Sequence, residues 1–169
     1  MKTSPMLLAA ASLLALAACG KKPPKELPPP PLDNNSAAAT NMPAEAGPAP
    51  GSQADFVASV VADRIFFDTD SSDVGPQDQA TLRSQVAWLT KYPNTRVTIE
   101  GHCDERGTRE YNIALGDRRA NAAKNALAAL GVSPARISTI SYGKERPDAL
   151  GSDESAWSKN RRAVTVTVQ

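Results

Sequence analysis

The sequence is short of several things a reader would look for first. It has two cysteines, Cys19 and Cys103, and one histidine, His102. That excludes a disulfide-rich scaffold and a conventional Cys/His zinc module. Aromatic residues make up 5% of the chain, and none precedes Phe56. The longest apolar run, residues 6–18, is 13 residues broken only by Ser12, too short for a good bilayer-spanning helix, which needs about 20. Charge of one sign is lacking too: 19 Lys and Arg against 18 Asp and Glu leave a net charge of +1. No basic excess points to nucleic acid as a partner. No phosphate loop or serine-hydrolase motif is present, so no cofactor is expected.

What is present divides the chain. Lys2 followed by the short apolar run fits an export signal. The run ends Leu16-Ala17-Ala18-Cys19-Gly20, which resembles the lipobox of bacterial lipoproteins. That resemblance implies residues 1–18 as signal peptide and Cys19 as the lipidated first residue. Several acyl chains hold a protein firmly on a membrane, each buried methylene contributing about 0.8 kcal/mol. The residue after the cysteine is Gly20, not aspartate, and resemblance to Gram-negative lipoproteins then implies sorting to the outer membrane.

Ten of the 14 prolines precede residue 52. Residues 20–52 hold nine of them, four in the unbroken run Pro28–Pro31. Such a segment cannot bury enough apolar surface to offset its ordering entropy. With Cys19 it is expected to be a disordered tether over 19–52, able to reach at most about 100 Å if fully extended.

Residues 53–169 are the expected globular domain, with 15 basic and 15 acidic side chains. Any charged ligand must therefore be read by local pairs. Periodicity predicts a strand over 62–67 and a turn-rich loop over 68–73. A helix follows from Pro76 to a stop at Pro93, with Leu82, Val86 and Leu89 as its apolar stripe. A second strand over 96–101 leads to a loop, 102–107. Thr108 then caps a long helix carrying Tyr111, Leu115, Ala122, Ala126 and Leu130 along one side. Gly131 ends that helix. A third strand over 136–142, a short helix near Glu154 and a last strand over 163–168 complete β-α-β-α-β-(α)-β. The expected fold is an α/β (α+β) two-layer sandwich with helices packed on one face of a mixed sheet.

Gly101-His102-Cys103-Asp104-Glu105 invites a metal or catalytic reading. His102 and Asp104 fall on one side of an extended chain, but a third ligand is missing. A Cys103–His102 nucleophile pair is poorly arranged, because neighbours in sequence point apart. Cys103 also fits as a small, partly buried residue. Asp104, just past a strand end, and Arg119, in the middle of the next helix, form the stronger constellation. Spacing alone favours an ordinary ion pair or two solvated charges over a ligand site.

The blocks Phe67-Asp68-Thr69-Asp70, Gly101 to Thr108, Tyr111 to Ala122, Ser141 to Glu145 and Ser158 to Val164 resemble the peptidoglycan-associated lipoproteins (Pal), a branch of the OmpA-like C-terminal domain family. Asn112, Leu115, Arg119 and Ala120 match the wider family's helix motif, with Gly116 where serine is commoner. The resemblance implies noncovalent binding of peptidoglycan through meso-diaminopimelate of the stem peptide, and no enzymatic activity. Asp104 would take the ligand's ammonium. Arg119 would take its carboxylate in a two-pronged bond, which suits a guanidinium fork. Asp70, Arg106 and Leu115 would line the same groove, and Asn160, Arg161 and Arg162 would close the last strand structurally. The resemblance also implies a place in the Tol–Pal system of cell division and envelope integrity. Its protein partner there would be a TolB-like periplasmic β-propeller. An OmpA-like anchor serving another envelope machine is the alternative.

Overall fold

The computed structural model describes residues 47–168. The export signal, Cys19 and most of the expected tether lie outside them. The described chain runs α1 (Gln53–Ser59), β1 (Arg64–Phe66), α2 (Pro76–Lys91), β2 (Arg96–His102), α3 (Arg109–Ala129), a 3-10 turn (Pro134–Arg136), β3 (Ile137–Gly143), α4 (Glu154–Asn160) and β4 (Arg162–Val168). None of these helices is long and apolar enough to cross a membrane.

The four strands form one mixed sheet in the order β1-β4-β2-β3. β4 sits between β1 and β2 and is antiparallel to both. β2 and β3 run parallel and are joined through α3, as a parallel pair requires a crossover. Val97 and Ile99 of β2, Ile137 of β3, Ala163 of β4 and Ile65 of β1 alternate into the core under the helices. The expected sandwich and every expected element are found, each boundary within about two residues.

α1 was not among the expected elements. Its signal is short but present: the Ser52 side chain caps the Asp55 amide. Asp55 in turn accepts from the Gly51 amide and the Trp88 indole. Phe56, fully buried, meets Trp88 edge to face with centroids 5.0 Å apart. Seven residues carry too little periodicity to announce a helix; packing on α2 supplies what propensity does not.

The buried face of α3 also differs from the expected stripe. Tyr111 and Leu130 are largely exposed. The buried positions are Asn112, Leu115, Gly116, Arg119, Ala120, Ala123 and Leu127. They repeat at helical spacing, but three of them are not apolar side chains. A stripe sought among apolar residues therefore lands one position off. Asn112 and Arg119 face inward because the loops they bond lie there.

Candidate functional site

Three segments converge at the C-terminal end of β2: the loop 103–108, the loop 68–73 after β1, and the first half of α3. The local chemistry that shapes the 103–108 loop is explicit. Asn112 Nδ2 donates to the carbonyls of Arg106 and Thr108. Lys144 Nζ donates to those of Glu105 and Gly107. Gly107 turns the chain at φ +84°, a conformation that disfavours any side chain. Thr108 Oγ1 accepts from the Tyr111 amide and starts α3. The Asn112 of the helix motif thus acts by holding the loop that carries Asp104.

Asp104 is 7% exposed. Its carboxylate accepts from Arg106 three times: from the backbone amide at 3.1 Å, from Nε at 3.1 Å and from Nη2 at 2.6 Å. Arg161 Nη1 stands 3.6 Å away on the other side. Burial alone would push the Asp104 pKa up, but the Arg106 hydrogen bonds and the charges of Arg106 and Arg161 outweigh it and hold it below the ordinary 3.8. Asp104 is an anion at any physiological pH.

Arg119 sits deeper and does something the sequence did not announce. It is 0% exposed. Nε donates to the Ser71 carbonyl at 2.8 Å, Nη1 to the His102 carbonyl at 3.0 Å and Nη2 to the Asp68 carbonyl at 3.0 Å. Phe67 lies against the guanidinium, 5.3 Å from its ring centroid. Arg119 therefore staples the 68–71 loop to the end of β2. Three of its five N–H donors are engaged by backbone, and no direct ion pair joins it to Asp104.

The remaining expected site residues are placed as follows. Asp70 is exposed, adopts φ +56°, and accepts from the Tyr111 hydroxyl at 3.4 Å. Arg106 is partly exposed, spans Asp104 and Thr69 Oγ1, and stacks over the Trp157 ring at 4.2 Å. Leu115 is buried at 3% exposure. Asp70 and Arg106 are thus brought to the same mouth as Asp104, whereas Leu115 and Arg119 lie beneath it.

Arg161 is the residue whose part in the site was missed. Asn160 and Arg162 do close the chain locally: Asn160 holds the amides of Asp148 and Ala149, and Arg162 reaches the Arg146 carbonyl. Arg161 instead crosses to Asp104, and also bonds the Phe67 carbonyl and Glu154. Only tertiary folding brings positions 104 and 161 together. A cavity of about 710 Å³ lies beside the Asp104 cluster rather than on it, and Arg161 lines it.

His102 and Cys103 diverge as extended neighbours do. His102 Nε2 lies 3.6 Å from Glu100, whereas Cys103 Sγ, on the α3 side, donates to the Asn112 carbonyl at 3.3 Å. Burial pushes the Cys103 thiol up, the opposite of what a nucleophilic thiolate needs. Among the described residues no three His, Cys, Asp or Glu side chains stand together as metal ligands.

A mixed sheet of this order, with a loop after β2 stapled to the helix that follows, defines an OmpA-like domain. The chain belongs to the OmpA family, which it matches over residues 66–161, and within that family it stands with the peptidoglycan-associated lipoproteins. The peptidoglycan-associated lipoprotein of Agrobacterium fabrum is 56% identical over 135 residues, covering 75% of this chain and 76% of the relative. That of Rhizobium meliloti is 62% identical over 117 residues, covering 69% and 66%. The crystal structure of the peptidoglycan-associated lipoprotein from Burkholderia pseudomallei superposes with a TM-score of 0.62 at 44% identity, covering 67% of this chain and 93% of that one. The C-terminal domain of Helicobacter pylori MotB shares the fold at 21% identity, with a TM-score of 0.59.

Proposed function

We propose that this chain grips peptidoglycan noncovalently through the diaminopimelate residue of the stem peptide and tethers the outer membrane to the wall. The observation that carries the reading is Asp104: a carboxylate held below its ordinary pKa, nearly buried, on a loop fixed by Asn112 and Lys144, at the mouth where Asp70 and Arg106 also meet. An ammonium is the natural ligand of such a group. Arg106, whose side chain is 40% exposed, can give up part of its hold as the ammonium arrives. The ligand's carboxylate is read by Arg119 from beneath, through the two N–H donors that its backbone bonds leave over, or by displacing one of the loop carbonyls Asp68 and Ser71.

The chain acts as a binder, not an enzyme. Its one described thiol is buried and protonated, and its one histidine is sealed in the opposite face of the strand end. Cys19 carries the lipid anchor, which places the domain on the periplasmic side of the outer membrane. In the Tol–Pal system its protein partner is the TolB-like β-propeller, competing with the wall for overlapping surface.

A pull-down with purified sacculi tests the core of this reading. The wild-type chain co-sediments with diaminopimelate-type wall, releases no muropeptides on prolonged incubation, and loses wall binding on Asp104→Asn. Retention of binding by a folded Asp104→Asn variant overturns it. Cys19→Ala gives a product without acyl mass; a mature N-terminus at another residue, with no acyl group, overturns the anchor.

A further inference from the structure

Asp104 faces two guanidinium groups, and they are held differently. Arg161 is 6% exposed, with Nε on the Phe67 carbonyl at 2.9 Å and Nη2 on Glu154 at 2.6 Å. Those bonds fix its Nη1 at 3.6 Å from Asp104. Arg106 has no such anchors. Beyond Asp104, and among the described residues, its guanidinium bonds Thr69 Oγ1 alone, at 3.4 Å, and its side chain is 40% exposed. An ammonium arriving at Asp104 would be the third cation on one carboxylate, so one guanidinium has to withdraw. Arg106 is the one free to do so.

Trp157 bears on how readily it withdraws. The Arg106 guanidinium lies 4.2 Å from the Trp157 ring centroid, within range of a cation–π attraction. The ring is itself fixed. Its Nε1 donates to Glu105 Oε1 at 3.1 Å, and it stands on α4, whose first turn is capped by Asp153 through the Ala156 amide. Glu105 is held in turn, its carbonyl accepting from Lys144 Nζ. The indole therefore bridges α4 to the loop that carries Asp104 and Arg106. Its face backs the guanidinium in the pose that covers the Asp104 carboxylate.

We propose that Trp157 is a positioning residue that keeps Arg106 on Asp104, so that the free domain closes its own ammonium subsite with an internal cation. This rests on the wall-binding reading above. The ligand's ammonium takes the place of the Arg106 guanidinium, which swings off the indole into solvent, while the Arg106 backbone amide keeps its bond to Asp104. The stack thereby sets the affinity, because the fraction of molecules with Arg106 off Asp104 scales the apparent dissociation constant. Removing the stack makes the open form commoner and binding tighter, the reverse of what loss of a ligand contact gives.

Calorimetry and indole fluorescence on the full-length, detergent-solubilised protein test this with two probes. These are the tripeptide L-Ala-γ-D-Glu-meso-diaminopimelate and its counterpart ending in 2-aminopimelate, which keeps the terminal carboxylate but lacks the terminal ammonium. Trp157→Ala is expected to bind the diaminopimelate tripeptide about two- to fivefold more tightly than wild type, the equivalent of an exposed cation–π contact. Trp157→Phe keeps an aromatic face and stays near wild type. Unchanged or weaker binding by Trp157→Ala overturns the proposal. Fluorescence reads the same event in the intact wild type. Trp88, the other tryptophan, is buried against Phe56, so the departure of Arg106 from the Trp157 ring changes emission in the wild type and not in Trp157→Phe. Binding seen by calorimetry without that change overturns the proposal and leaves the wall-binding reading standing. An equal change with the 2-aminopimelate peptide overturns it as well. Failure of the wild type to bind the diaminopimelate tripeptide overturns both.

Discussion

The backbones of Gly101 and Gly116 lie so close that a Cβ built on Gly101 would stand 1.8 Å from the Gly116 carbonyl oxygen. This contact sets the depth at which α3 lies on β2. It brings Arg119, three residues further along α3, up to the His102 carbonyl, and leaves Asp104 at the rim above it. The atom in the way is backbone, so it cannot rotate aside. Gly101→Ala is expected to destabilise the domain by roughly 3 kcal/mol or more, the upper end for overpacking. Gly116→Ala meets the Ser141 hydroxyl at 2.4 Å and the Gly101 carbonyl at 2.9 Å. A rotatable hydroxyl yields more easily, so this variant costs less. Urea denaturation followed by circular dichroism checks the ranking, and a Gly116→Ala variant less stable than Gly101→Ala contradicts it.

Arg119 is a structural staple as well as a proposed ligand group. Arg119→Ala leaves the carbonyls of Ser71, His102 and Asp68 without their donor and a cavity against Phe67. The expected loss is roughly 3 kcal/mol, given about 1–3 kcal/mol for each buried group left unpaired. Loss of wall binding in that variant therefore has to be read beside a melting curve. Arg119→Lys keeps the charge but cannot serve three divergent carbonyls with one ammonium, and is expected to fall between wild type and Arg119→Ala in stability.

His102 gives the domain a pH dependence on the acid side. Burial first, then the charges of Arg162 and Arg146, lower its pKa from 6.5 to about 4. Glu100, at 3.6 Å, is too distant to offset them. The unfolded chain therefore binds the proton more readily than the folded one between these values. Stability is complete above about pH 6.5 and falls as pH drops toward 4, by on the order of 3 kcal/mol for this one group. Urea midpoints measured from pH 7.5 to 4.5 should show the fall, and His102→Asn should flatten it. A wild-type midpoint that does not move over this range contradicts the assignment.

Asp104 behaves in the opposite sense. Its folded pKa lies below the ordinary value, so its contribution to stability, and to the ammonium binding proposed for it, is present above about pH 4 and is lost only as pH falls through the depressed value. Wall binding should be level from pH 8 to 5 once the stability change is allowed for. A binding midpoint near pH 6 would assign the interaction to another group.

Lysine-type stem peptides keep the ammonium for Asp104 but lack the terminal carboxylate. They should bind roughly ten- to a hundredfold more weakly than diaminopimelate-type peptides, the equivalent of one charge-assisted hydrogen bond of about 1.5–3 kcal/mol. Calorimetry with matched muropeptides decides this, and equal affinities would show that no carboxylate is read.

The order of elements, the capped start of α3 at Thr108, the glycine after it and the two charges at 104 and 119 were all legible in the chain. Each depends on local rules: period 2 against period 3.6, a hydroxyl before a helix, a glycine after one. Three features were not legible. The α3 face that turns inward is led by Asn112 and Arg119, whose partners are loop carbonyls that no sequence spacing specifies. The α1 helix exists because Phe56 finds Trp88, 32 positions away. Arg161 reaches Asp104 only because β4 inserts between β1 and β2, a pairing order that depends on how the whole sheet buries its apolar face. Sequence alone determined which charges are available and what kind of element carries each. The tertiary structure decided which of them are spent on backbone carbonyls and which are left at the mouth for a ligand, because a buried donor is committed to whatever acceptor the packing places within about 3 Å of it.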